Sequence, residues 1–388
     1  MKRRLQTTVL SVISVLLSVT GGCGIPEQDA SERTTVPSPR LAELLRPEDL
    51  EGYPLALESR EFSVPADHGP HPAYRNEWWY VTGNLDAAGG ERFGFELTIF
   101  RFALAPPGEV RQEAPSAWAT NQVYIGHFAV THVDAERFHV AQRYARGALD
   151  LAGARAEPFR VWVEDWQLRE SGQDPARWNL YAVDNDVEIA LSLAARKPPV
   201  LNGADGLSQK SSERGNASYY YSMTRLEAEG TLSIGGKAHD VSGLAWLDRE
   251  WGSSALSAEQ EGWDWFALQL SDGSELMYYN LRRNDGSNDE HSAGTFVSPD
   301  GDIVHLSRSD VVVEVTDHWD SPLGGRYPMG WVMEVPRLGL RLKVEPVLEA
   351  QELATNVRYW EGAVDVAAER AGGRVAGRGY VELTGYAR

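Results

Sequence analysis

Cysteine is nearly missing from this 388-residue chain, with Cys23 the sole example. One thiol cannot close an intrachain disulfide, so the fold must hold together noncovalently. Long apolar runs are missing as well. The stretch from Val9 to Val19 is about half of the ~20 residues that a membrane helix needs. Basic charge is in deficit, 37 Lys and Arg against 56 Asp and Glu, for a formal net charge of −19. Such a surface repels phosphate backbones and anionic headgroups, which argues against nucleic acid as a partner. Several chemical signatures are absent too. There is no Gly-x-Ser-x-Gly elbow, no Walker loop, no Gly-x-Gly-x-x-Gly after a strand and no His-Glu-x-x-His. His68 and His71 are three apart but sit in a Pro/Gly-rich loop without further ligands. Neither a cofactor nor a metal is expected.

The first residues are laid out as a secretory signal. Lys2, Arg3 and Arg4 precede the apolar run, and Gly21-Gly22-Cys23 closes it with small residues. Cys23 stands where bacterial lipoproteins carry the acylated residue. The pattern resembles a lipobox, with Thr20 at the third position before the Cys. The expectation is removal of residues 1–22 and acylation of Cys23. The protein would then sit on an envelope membrane, the outer one where there is one, since Gly24 follows the Cys. Removal takes three basic residues and no acid, so −19 becomes −22. A polar tether from Glu27 to Arg40 and a short helix around 41–57 would carry the folded part.

Tryptophan (13) and tyrosine (15) are abundant, and aromatic enrichment points to strands. Strand-length pieces recur at 76–85, 93–104, 121–133, 159–169, 178–183, 187–193, 218–224, 230–234 and 241–248. They continue at 265–270, 276–281, 311–315, 331–335, 340–344 and 380–384. Many alternate by two, as Phe159, Val161 and Val163 do against Arg160, Trp162 and Glu164. Gly235-Gly236, Asp272-Gly273 and Asp300-Gly301 fall between such runs, as hairpin turns should. Many short strands without alternating helices predict an all-β fold of closed antiparallel barrels or sandwiches. The polar stretch 197–216 reads as a lid or a mobile loop. A weaker seam at 253–262 divides the mature chain into a tether with a short helical segment (23–58) and two lobes, 59–252 and 253–388.

The densest cluster is Trp246-Leu247-Asp248-Arg249-Glu250-Trp251-Gly252. In a strand, Trp246, Asp248 and Glu250 share one face. Two carboxylates beside an indole in a barrel would be costly to bury ionised, and a protonated carboxyl in an apolar site is a usable general acid. The plainer reading is a strand end whose acids face water or pair with Arg249 or Arg225. Asn76-Glu77-Trp78-Trp79-Tyr80 places Trp78 and Tyr80 together, and Tyr219-Tyr220-Tyr221 places Tyr219 and Tyr221 together. Core filling is the default for aromatics inside small barrels. Gly126-His127 lies mid-strand, where a satisfied core histidine is the ordinary explanation.

Together with Gly126-His127-Phe128, Tyr327-Pro328, Gln351-Glu352, Tyr359-Trp360-Glu361-Gly362 and the run from Gly379 to Tyr386, these segments resemble the carotenoid 1,2-hydratase-like, or AttH-like, family. The resemblance spans roughly Phe62 to Tyr386. It implies two lipocalin-like barrels in tandem, with a ligand held within or between them. It also implies cofactor-free addition of water to a carbon–carbon double bond, with the acid landing on Asp248. The aromatic and His pair of the hydratases falls near Tyr219 and Tyr221. Here the pair is Tyr-x-Tyr rather than His-x-Trp, and Trp246 replaces a Tyr two before the acid. The combined expectation is a pocket for an isoprenoid, polyene or other lipid. Asp248 would be its acid, and Trp246, Tyr219, Tyr221, Trp78 and Tyr80 its lining. Glu250 or His127 would orient water. The competing expectations are a carrier that leaves its ligand unchanged and a structural protein with filled barrels.

Overall fold

The computed structural model describes residues 50–109, 116–172, 174–254, 256–370 and 372–387. Cys23, the signal, the tether and residues 41–49 of the expected helix lie outside them. The rest of that segment, 50–57, is turn and extended chain, broken by Gly52 in a left-handed conformation and by Pro54.

Thirteen strands build the first sheet. They are β1 (Asn76–Ala87), β2 (Arg92–Ala103), β3 (Gln122–His132), β4 (Arg137–Arg146), β5 (Ala152–Arg155), β6 (Arg160–Val163) and β7 (Trp166–Ser171). Then come β8 (Asp174–Asp184), β9 (Val187–Ala195), β10 (Val200–Leu201), β11 (Leu207–Gln209), β12 (Ala217–Ile234) and β13 (Lys237–Gly252). Their order is β4-β3-β2-β1-β13-β12-β9-β8-β7-β6-β5, with β10 and β11 laid against β12. The two ends curl toward each other, so that Phe128 on β3 meets Trp166 on β7 edge-on at 5.6 Å.

The second sheet holds β14 (Gln260–Leu270), β15 (Glu275–Arg283), β16 (Ala293–Val297), β17 (Ile303–Ser307) and β18 (Val312–Val315). A separate ribbon of β19 (His318–Asp320) and β20 (Arg326–Pro328) interrupts it. It resumes with β21 (Trp331–Val335), β22 (Leu340–Pro346), β23 (Glu352–Leu353), β24 (Tyr359–Arg370) and β25 (Gly373–Leu383). The order is β17-β16-β15-β14-β25-β24-β22-β21-β18, with β23 on β24. The fold is all-β and lipocalin-like, a nearly closed barrel followed by a half-barrel.

Local chemistry accounts for the turns. Gly235 and Gly236 both take positive φ (60° and 79°), the requirement of a two-residue hairpin whose twist matches β12 and β13. The expected single strand 159–169 is instead two, β6 and β7. The chain reverses at Glu164-Asp165, where two successive exposed acids break the apolar alternation and Glu164 adopts φ 57°. Conversely, 218–224 and 230–234 belong to one strand, β12, which absorbs a register shift between Met223 and Leu226.

Both interiors are filled. Trp79, Phe95, Trp166, Trp178, Tyr221 and Trp251 pack inside the barrel, and Phe266, Tyr278, Trp331, Met333 and Trp360 inside the half-barrel. Along a third apolar cluster the two sheets meet outer face to outer face. There Tyr80, Tyr220 and Trp246 lie against Trp265, Met277, Tyr279 and Tyr380.

Candidate active site

The antiparallel register of β1, β13 and β12 sorts the unusual sequence runs by parity. Glu250 lies opposite Trp78 on β1 and Tyr220 on β12, and Asp248 opposite Tyr80 and Ser222. These even-numbered side chains point out of the barrel toward the half-barrel. Odd-numbered neighbours point inward. Glu77 is fully buried there between Arg101 and Arg249, whose guanidinium stacks 3.9 Å over the Trp79 ring. Burial alone would raise the Glu77 carboxyl, but the two arginines outweigh it and hold Glu77 far below the usual carboxylate range.

Between the sheets lies a cavity of about 70 Å³. At 10–15 Å³ each this is room for roughly five waters, or for one end of a larger molecule. The barrel contributes Trp78, Tyr80, Phe100, Tyr220, Asp248 and Glu250 to its wall. Across from them stand Trp263, Trp265, Tyr279, Leu281, Tyr359 and Glu382 of the half-barrel. Lys210, from the polar stretch 197–216, completes the lining. A roomier recess of about 520 Å³ lies over Gln167, Tyr181 and Glu229, but it is a surface groove without this mixture of rings and acids.

Asp248 is 4 % exposed and engaged at both oxygens. Trp246 Nε1 (2.6 Å) and Ser222 Oγ (2.5 Å) donate to Oδ1, and the Tyr220 hydroxyl donates to Oδ2. Trp265 Nε1 donates to the Tyr220 oxygen at 3.1 Å, which leaves the tyrosine proton for Asp248. Burial raises the Asp248 carboxyl and Glu250 adds to it. The three donors pull it back, and the balance stands at about 7. Glu250 has different company. It accepts from Ser218 Oγ, and Lys210 Nζ lies 3.1 Å away. Burial opposes the Lys210 charge, but Glu250, Tyr279 and Asp248 prevail and keep the ammonium above its ordinary value. It sits 4.2 Å from the Tyr279 ring centroid.

On the far wall Glu382 is raised by burial and by Glu96, Asp248 and Glu250, against a hydrogen bond from Trp263. Behind it, Glu96 and Glu361 are both 0 % exposed. Burial drives both upward, and mutual repulsion adds to it at Glu361. Among the described residues no group of three or more His, Cys, Asp or Glu side chains is placed to hold a metal ion.

The AttH-like family profile matches residues 55–386. This chain belongs to the AttH-like family. An AttH protein from Nitrosomonas europaea shares 32 % identity and a TM-score of 0.75, over 85 % of this chain and 98 % of that one. Kievitone hydratase from Nectria haematococca shares the fold at 15 % identity and TM-score 0.62, over 86 % and 98 % of the two chains. CghA, solved with Sch210972, shares it at 12 % identity and TM-score 0.51, over 85 % and 95 %. No protein of curated function matches the sequence.

In this AttH-like chain the structure brings Asp248, Glu250, Trp78 and Tyr80 together at the cavity. Trp246 stands just behind, as a donor to Asp248. Tyr219 and Tyr221 are not there, and this corrects the expected lining. Paired with Trp251 and Arg249, they share those residues' inward face. Tyr219 donates to the Glu58 carbonyl and Tyr221 bonds His68 Nδ1 at 2.5 Å. Tyr220, between them, takes the place in the cavity. His127 is also absent from the lining. It lies behind Tyr359, with Nδ1 2.6 Å from that hydroxyl and Nε2 2.6 Å from Gln142 Nε2, and burial depresses it to about 3. Sequence reasoning missed Lys210 and the whole half-barrel wall. Glu361 and Glu382 left one signal: each stands next to or two after an aromatic residue in a strand, in Tyr359-Trp360-Glu361 and Tyr380-Val381-Glu382.

Proposed function

We propose that this chain takes one end of an unsaturated isoprenoid, polyene or other lipid into the seam cavity and adds water across a carbon–carbon double bond, without a cofactor. The observation that carries this reading is Asp248, a buried carboxyl balanced at about 7 beside an ion-paired Glu250. Two carboxyls whose surroundings set them apart divide the acid and base roles. Oδ1 of Asp248 accepts two donors, so the proton of the neutral form rides on Oδ2. It passes to one alkene carbon, and the neighbouring carbon becomes cationic. The cavity's aromatic rings face that charge, each worth roughly 0.5–2 kcal/mol to a cation over its face. Water bonds the cationic carbon and gives its surplus proton to Glu250, from which Asp248 is recharged. The sum is one water added and no net proton consumed. Kievitone hydratase, a fold neighbour, is a hydratase by name, which agrees with this reading.

Asp248→Asn tests it. The amide keeps the shape but has no proton to give, so ligand binding should persist while turnover drops about a hundredfold or more. Unchanged turnover in a folded Asp248→Asn protein removes Asp248 from the mechanism. Equal binding with no turnover in either protein favours a carrier. A collapse of the melting temperature makes Asp248 structural.

We also propose that Cys23 is acylated and tethers the protein to the envelope, on the outer membrane where there is one. Several acyl chains exceed the single chain that gives only reversible attachment. Cys23→Ser should move the protein to the soluble fraction on cell fractionation, and full retention in the membrane would refute the anchor.

A further inference from the structure

The lining of the seam cavity is lopsided in two ways. Eight of its side chains are aromatic: Trp78, Tyr80, Phe100, Tyr220, Trp263, Trp265, Tyr279 and Tyr359. Its ionisable groups other than tyrosine are three acids, Asp248, Glu250 and Glu382, against one ammonium, Lys210. That ammonium is already engaged by Glu250 and the Tyr279 ring. Behind the wall, Glu96 and Glu361 add two more buried carboxyls, with the Tyr80 and Tyr359 hydroxyls beside Glu361. Ring faces and carboxyls around a small cavity are what a desolvated organic cation requires. A neutral hydrocarbon would use the rings and leave the excess of acids over the single ammonium uncompensated.

We propose that the seam cavity binds a lipophilic organic cation, a tertiary ammonium on an isoprenoid-sized chain, in the place that the carbocation would occupy. This rests on the hydration reading for that placement, though not for the binding itself. A stable ammonium copies the charge of the intermediate, and mimics of such species bind more tightly than substrates. The binding also carries a proton signature. Asp248 is faced by Glu250 on its own strand, Tyr220 on β12, Lys210 from the loop and Glu382 across the cavity. Glu382 is faced by Glu96, Asp248, Glu250, Tyr80, Tyr359 and Glu361. Burial, with these neighbours added to it, raises the Asp248 and Glu382 carboxyls. An arriving cation lowers the cost of ionising them, so it binds with release of a proton.

The test is calorimetric titration of the full-length protein, in non-ionic detergent at pH 7, with N,N-dimethylgeranylamine and with geraniol. Two buffers of different ionisation enthalpy count the protons. The amine should bind about tenfold more tightly or better, with measurable proton release. In the Asp248→Asn, Glu382→Gln double variant that preference should shrink to within about twofold and the release should vanish. Geraniol binding as tightly as the amine to the unaltered protein, or amine binding without proton release, overturns the inference whether or not the variant folds. An Asp248→Asn protein that loses turnover while the unaltered protein shows no preference for the amine defeats this inference alone. A clear preference for the amine without hydration of any isoprenoid defeats the hydration reading alone.

Discussion

Tyr220 sits at the centre of a short relay, accepting from the Trp265 indole and donating to Asp248. Its bond favours the charged carboxylate and offsets part of the desolvation that lifts Asp248. Tyr220→Phe removes that offset, so Asp248 should rise further above about 7. The alkaline limb of the kcat/KM profile should then move to higher pH. A limb that stays put would mean another group sets it. Tyr221→Phe, one position along, loses the bonds to His68 and to the Asp67 carbonyl inside the barrel. It should leave the profile unmoved and cost about 1–3 kcal/mol in stability, read from chemical denaturation.

At the scale of the strand, β1 and β13 are fastened by Glu77. Glu77→Gln leaves Arg101 and Arg249 buried with their anion gone, a loss of about 3–5 kcal/mol measurable by urea denaturation. A change below 1 kcal/mol would show that the carbonyls of His71, Tyr74, Trp78 and Gly69 suffice for the guanidiniums. The same strands explain what the sequence could convey. Alternation by two exposed most of the strands, and it grouped Trp78 with Tyr80 and Asp248 with Glu250. It could not tell which of two faces was the cavity. That depends on Tyr220 lying opposite Glu250, a pairing of residues thirty apart that no local pattern encodes. The turn at Glu164 left only a change of phase, with apolar residues at 159, 161 and 163 before it and at 166 and 168 after it. Glu382 and Tyr359 were illegible as partners of Asp248, since only the meeting of two sheets brings them near.

For the whole molecule, the seam is a store of protons. Asp248, Glu96, Glu361 and Glu382 are all lifted above their ordinary values, chiefly by burial. A carboxyl raised on folding binds more protons in the native state than in the unfolded chain. Its contribution is fully present below the unfolded value, near 4, and is lost as pH rises through the folded one. Stability should therefore decline from about pH 4 toward pH 7 and beyond, by up to about 1.4 kcal/mol per pH unit for each group in its window. Glu361→Gln should flatten that decline and raise the melting temperature at pH 8 relative to pH 5, while equal slopes would show that Glu361 is ionised without penalty. One partition, β13 with its two neighbours, bounds both the filled barrel and this seam. On the proposed reading, changes at Trp78, Tyr80, Tyr220, Asp248 and Glu250 should alter what the seam cavity accepts and leave the barrel's filling untouched. Changes at Glu77, Trp79, Tyr221, Arg249 and Trp251 do the reverse. Descendants of such a chain can exchange one chemistry for another while keeping the same scaffold, because two messages are interleaved letter by letter along the same strands.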